Sequence, residues 1–193
     1  MIYVFLATGF EDIEALAPVD IMRRAGLQVQ TVSVTGDRLV QSSHGVGIVA
    51  DTLLPDVNFH EAEMLVLPGG LPGATNLDAC RPLTQAIRRH REAGGAIAAI
   101  CAAPLVFGHL GLLEGRRATC YPGVEPELKG ADYTAAIVEQ DEGIITGKGP
   151  AAAFEFGYAI VDHFLGQGAS LPLRKGMIYA ELIHNSQFII HNS

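Results

Sequence analysis

The sequence has no tryptophan and only three cysteines, and charged residues fill just 18% of its 193 positions. Each scarcity excludes something. Cys80, Cys101 and Cys120 are an odd set with no Cys-x-x-Cys pair, which argues against a disulfide framework and against a metal site built on thiolates. A reducing, cytoplasmic setting is expected. No apolar run approaches the ~18 residues of a membrane span, so no membrane partner is expected. Met1–Leu6 is apolar but short, with no basic flank or cleavage site, and predicts a strand rather than a secretory signal. Basic residues are outnumbered, 13 Lys and Arg against 21 Asp and Glu, for a net charge of −8. That charge opposes nucleic-acid binding. The densest basic cluster, Arg88, Arg89, His90 and Arg91, reads as a solvated helix face.

What is present is an apolar fraction of 49% on a chain long enough to bury one full core. Apolar runs of strand length alternate with segments of helical period. Strands are expected at Ile2–Ala7, Gln28–Val34, Glu63–Leu67, Ala96–Ile100, Thr134–Val138 and Gly143–Thr146, with a hairpin at Val40–Val49. Helices are expected at Glu11–Ala25, Leu83–Ala93, Ala103–Leu113 and Ala151–Leu165. Strands that are apolar throughout are buried on both faces. The fold class is therefore α/β, a doubly wound, mostly parallel sheet sandwiched by helices. One domain over residues 1–180 is expected, with 181–193 a tail in which Ile183-His184-Asn185-Ser186 is echoed by Ile190-His191-Asn192-Ser193.

Ligands in such sheets bind beyond the carboxyl ends of the strands. Three segments there carry chemistry. The first runs from Ala96–Ile100 straight into Cys101-Ala102-Ala103-Pro104, the pattern of a nucleophile elbow. A lone cysteine in an apolar run is more often a packing residue; its strand-to-helix position singles Cys101 out. The turn would expose the sulfur, and the helix N-terminus would lower its pKa. The second is Pro68-Gly69-Gly70, whose glycines allow backbone amides to approach a ligand or an oxyanion. The third is Gly9-Phe10-Glu11-Asp12-Ile13-Glu14. Glu11 and Asp12 fit a helix start, whereas Glu14, followed by Ala15, Leu16 and Ala17, would be desolvated and could hold a proton for a thiolate.

Taken together these motifs resemble the ThiJ/PfpI superfamily, and within it the branch of the parkinsonism-associated deglycase and the bacterial YajL-type proteins. Pro18-Val19-Asp20-Ile21-Met22-Arg23-Arg24-Ala25-Gly26 is similar to that branch's first helix, and Gly147-Lys148-Gly149-Pro150 to its turn into the last helix. The resemblance implies a flavodoxin-like fold and a homodimer built partly on the first helix. It implies Cys101 as oxidisable nucleophile, Glu14 as its protonated partner, and the amides of Gly70 and Ala102 as oxyanion donors. Gly69, Tyr121 and Pro150 are the candidate pocket lining. Two departures stand out. Protease-like members carry His after the nucleophile, where this chain has Ala102, and many deglycase-branch members carry His where this chain has Tyr121.

Without a general-base His, peptidase chemistry is not expected. The expected function is a cysteine-dependent reaction on reactive dicarbonyls or glycated adducts, requiring no cofactor and no metal. The alternatives are a redox-sensing stress chaperone acting through the same cysteine, and the superfamily's older label, a thiazole-monophosphate step of thiamine biosynthesis. No GxxxxGK[ST] phosphate loop supports the last.

Overall fold

The computed structural model describes residues 1–183; the echoed part of the tail, from His184 on, lies outside the described residues. β1 (Ile2–Leu6) is buried at all five positions, as a strand covered on both faces must be. α1 (Asp12–Arg24) follows after a short turn. The Glu11 side chain caps it, accepting from the Glu14 amide at 2.7 Å. β2 (Val29–Ser33) precedes the antiparallel hairpin of β3 (Leu39–Gln41) and β4 (Gly47–Val49), and then β5 (Thr52–Leu53). β6 (Met64–Leu67) leads through Pro68-Gly69-Gly70 into α2 (Gly73–Ala79) and α3 (Arg81–Glu92). β7 (Ala96–Ile100) ends at Cys101, and α4 (Pro104–His109) follows. A small parallel pair, β8 (Arg117–Ala118) and β9 (Asp132–Tyr133), precedes β10 (Val138–Asp141) and β11 (Ile144–Gly147), and α5 (Ala153–Leu165) and α6 (Leu171–Gly176) complete the chain.

The main sheet has seven strands in the order β10-β11-β7-β6-β1-β2-β5. All pairings are parallel except β10–β11. From β1 the chain winds outward through β2 and β5, then returns to lay β6 on the other side of β1. The order therefore reverses between β1 and β6, and that switch point is where a doubly wound sheet opens a crevice. The expected α/β sandwich is what forms. α1 and α5 cover the same face in close contact, because Gly157 lets the α5 backbone approach Pro18 and Ile21.

Three local expectations need correction. The strand expected at Thr134–Val138 begins only at Val138, since Ala135 has φ +56° and breaks extended backbone. Glu142 and Gly143, both at positive φ, then make the tight turn that sets β10 antiparallel to β11. The helix expected to reach Leu113 stops at His109, with Gly111 left-handed just beyond. α2 was not expected, because Gly73-Ala74-Thr75-Asn76 has weak helix propensity; burial of Ala74 and Leu77 supplies what propensity does not.

His109, at the end of α4, joins α4 to its neighbours. Its Nδ1 lies 2.9 Å from Asp78 of α2 and its Nε2 2.9 Å from Glu127 of the 125–127 turn. The Glu127 hydrogen bond, and then Asp78, raise its pKa above the usual histidine value, with partial burial opposing them. A raised folded pKa stabilises the protein fully below the unfolded value of about 6.5, and that stability is lost as pH rises through the folded value. His109→Gln should therefore cost about 0.5–1 kcal/mol at pH 6 and close to nothing at pH 9. Thermal unfolding at the two pH values measures it, and equal losses would show that the clamp does not depend on charge.

Candidate active site

The carboxyl ends of β1, β6 and β7 bring the three sequence segments together. Cys101 sits directly after β7 with φ +65°, a left-handed conformation that is strained for a residue with a side chain. The strain is held from several sides. The Cys101 amide donates to Gly147 O at 2.8 Å, its carbonyl accepts from the Tyr121 amide at 2.9 Å, and the Ala103 amide turns back to Ile100 O at 3.0 Å. The side chain is buried, 8% exposed, where the sequence suggested an exposed sulfur, because the turn packs it against its neighbours.

Glu14 reaches the sulfur from the first turn of α1. It is 1% exposed, and its Oε2 accepts from the Gly69 amide at 3.0 Å. Its Oε1 is buried and meets no donor in hydrogen-bonding geometry among the described residues. The Cys101 side chain is the carboxyl's other neighbour, close enough for the two to share a hydrogen bond. Gly69 fills the space between them. A Cβ there would lie 2.6 Å from Glu14 Oε2 and 2.7 Å from both Cys101 Cβ and Ile100 O. Gly70 has φ +85°, and a side chain there would strike the Glu11 backbone. The Pro-Gly-Gly segment is thus glycine for two separate reasons, close approach and left-handed backbone.

The electrostatics differ from the expectation of a strongly acidified thiol. Burial, and then the Glu14 charge, push the Cys101 thiol up to about 12, while the amides of Gly70 and Ala102 pull it down. Burial raises Glu14 to about 7, with its Cys101 hydrogen bond opposing. The helix expected to lower the thiol pKa is only six residues long, so the two amides carry that role. Thiol and carboxyl compete for one negative charge. Protonating Glu14 removes one of the causes that raise the thiol and leaves both amides favouring a sulfur anion. The thiolate therefore belongs to the state in which Glu14 holds the proton.

The other candidates and cysteines are placed as follows. Tyr121 is exposed, with its ring against Gly149, and Pro150 opens the 150–152 turn beside it. Cys120, next to Tyr121, is buried completely, and burial drives its thiol up to about 12. Cys80 is half-buried in the link from α2 to α3. One arrangement escaped the sequence reading. The hairpin loop of β3 and β4 folds over the start of α1, where Ser43 donates to Phe10 O, and brings His44 within 2.8 Å of Asp12. Glu11, Asp12 and His44 offer ligand atoms all within 4.8 Å of one another, the one such group of three among the described residues. Only the loop-to-helix contact reveals it, because 32 residues separate Asp12 from His44.

Comparison with known proteins agrees with this fold. The sequence profile of the DJ-1/PfpI family matches residues 1–163. Protein DJ-1 homolog B of Arabidopsis thaliana is 41% identical over 164 residues, 84% of this chain and 37% of that protein. The chain spans less than half the length of the plant relatives it matches. A Caenorhabditis elegans relative, described as the glutathione-independent glyoxalase DJR-1.2, is 32% identical over 89% of this chain and 91% of its own. The solved structure of oxidized Toxoplasma gondii DJ-1 superposes with a TM-score of 0.88 at 32% identity, covering 93% of this chain and 98% of the other. With the family profile covering most of the chain and relatives above 30% identity over nearly their whole length, the chain belongs to the DJ-1/PfpI family.

Proposed function

We propose that the protein is a cofactor-free enzyme that uses Cys101 to act on small reactive dicarbonyls, such as methylglyoxal, or on the adducts they form. The observation that carries this reading is the coupling of Cys101 to a buried carboxyl whose pKa lies at about 7. A group poised there both gives and takes a proton at neutral pH. The resemblance to a relative described as a glyoxalase supports the same reading.

In this mechanism the Cys101 sulfur attacks the aldehyde carbon. A C–S bond forms, and the carbonyl π electrons move to oxygen, which the Gly70 and Ala102 amides receive. Glu14 protonates that oxygen to give a hemithioacetal, then as carboxylate removes the proton from the same carbon. The electron pair shifts to form an enediol, and return of the proton to the second carbon leaves a 2-hydroxyacyl thioester. Water cleaves the thioester, releasing the hydroxyacid and the thiol, so that dicarbonyl plus water equals hydroxyacid. Cys101→Ala should reduce methylglyoxal consumption to the uncatalysed background. If a tenth or more of the rate survives, Cys101 is not the nucleophile. If that variant still suppresses aggregation of a heated client protein, holdase activity is independent of this site.

A redox role draws on the same atoms. The amides that favour an anion at sulfur would equally hold the oxygens of a sulfinate, with protonated Glu14 as donor. A homodimer is the proposed assembly. Ile13 and Leu16 of α1 are 49% and 37% exposed on the side turned away from α5, an apolar pair that a second copy would cover. Sedimentation at micromolar concentration should give a dimer, and a monomer would remove the proposal. No helix among the described residues is long and apolar enough to cross a membrane.

A further inference from the structure

The basic cluster of α3 does not behave as one solvated face. Arg91 reaches back to Glu142 O at 2.7 Å. His90 turns inward, its Nε2 3.0 Å from Ala96 O, and burial lowers its pKa, so it is a neutral ring donating to that carbonyl. Arg88 faces solvent. Of the three arginines only Arg89, beside His90, lines a cleft of about 870 Å³ between α3 and the segment linking β5 to β6.

That cleft is not the site of Cys101. It includes Gly95, which precedes β7, whereas Cys101 follows β7. Five strand residues put the two ends roughly 17 Å apart. Its walls are mostly apolar: Leu54, Pro55, Val57 and Phe59 on one side, Pro82 and Ala86 on the other. Phe59 is fixed by stacking on Phe5, with ring centroids 6.3 Å apart. The volume falls within the range of small-molecule sites, where an apolar lining and a few polar groups set orientation.

The polar side is of one sign. Among the described residues no Asp or Glu lines the cleft, although the chain carries a net charge of −8. Arg89 donates through Nε to Gln85 O at 3.3 Å, and its two terminal nitrogens have no partner among the described residues. The guanidinium edge that binds carboxylates in bidentate fashion is therefore free beside an apolar floor. We propose that this cleft binds a small apolar organic anion, a carboxylate on an aryl or alkyl body, with the body against Phe59 and Pro82 and the carboxylate on Arg89.

The test is a titration of the full chain with 3-phenylpropionate and with its neutral analogue 3-phenylpropan-1-ol, followed by amide shifts of residues 54–62 and 85–95. Saturable shifts are expected with the carboxylate, roughly tenfold or more tighter than with the alcohol. Arg89→Met should bring the carboxylate down to the affinity of the alcohol, whereas Arg88→Met, which removes a neighbouring charge outside the cleft, should leave both unchanged. Equal binding of acid and alcohol would overturn the proposal, as would shifts confined to Cys101 and its surroundings, no saturation at millimolar ligand, or equal loss in the two arginine variants.

Discussion

Gly69→Ala should cost about 1–3 kcal/mol of stability and slow methylglyoxal turnover at least ~100-fold. The added methyl would meet the Glu14 carboxylate, the Cys101 Cβ and the Ile100 carbonyl, all at 2.6–2.7 Å. Two of those three neighbours are backbone or backbone-adjacent and cannot rotate away. The Gly69 backbone is not left-handed, so alanine introduces no torsional strain and the steric effect stands alone. Something must shift, and Glu14 and Cys101 are the two side chains at hand. Denaturant unfolding together with turnover rates measures both effects. A variant that is destabilised yet turns over at the wild-type rate would show that the spacing of the pair is immaterial to the reaction.

Glu14→Gln should lower turnover by about 10²–10³-fold while leaving Cys101 open to alkylation. Glutamine keeps the size and can still donate towards sulfur, but it has no proton to exchange. A carboxylate and a thiolate at ~4 Å repel by about 4 kcal/mol at an effective dielectric near 20, which is why wild type keeps one proton on the pair. The same substitution has a signature that needs no substrate. Glu14 has a folded pKa of about 7 against an unfolded 4.5, so between those values the native state binds more protons than the unfolded state. Stability is thus fully present below about pH 4.5 and falls as pH rises through 7. Glu14→Gln should flatten that part of the stability profile. An unchanged profile would mean that Glu14 is not buried as a neutral acid.

The sheet was legible because its central strands β1, β6 and β7 are apolar at every position, a pattern only two-sided burial explains. β1 and β7 fall within a residue of their expected limits. The elbow was legible for a related reason: Ala96–Ile100 admits no polar residue before Cys101, and Pro104 starts a helix directly after it. Glu14 was legible as a motif, but its partners were not. Gly69, whose amide binds the Glu14 carboxylate, arrives from a strand end 55 residues away. Sequence suggested a thiol acidified by a helix. Tertiary packing instead buries a pair in which burial raises both groups and the Glu14 charge pushes the thiol higher still. The His109 clamp and the His44–Asp12 contact were out of reach for the same reason, because each joins elements that meet only once the sheet has closed. β10 was misplaced because nothing in Thr134-Ala135-Ala136 announces the left-handed backbone at Ala135.

The left-handed backbone at Cys101 sets folding and chemistry in opposite order at a single position. Glycine suits φ +65° better than any residue with a Cβ, by about 1 kcal/mol or more. A library screened for thermal stability alone should therefore recover Cys101→Gly ahead of Cys101→Ala, and both would be inert. Screens that reward stability would erode the proposed nucleophile first, and position 101 is where a designer of hardier variants must hold the residue fixed.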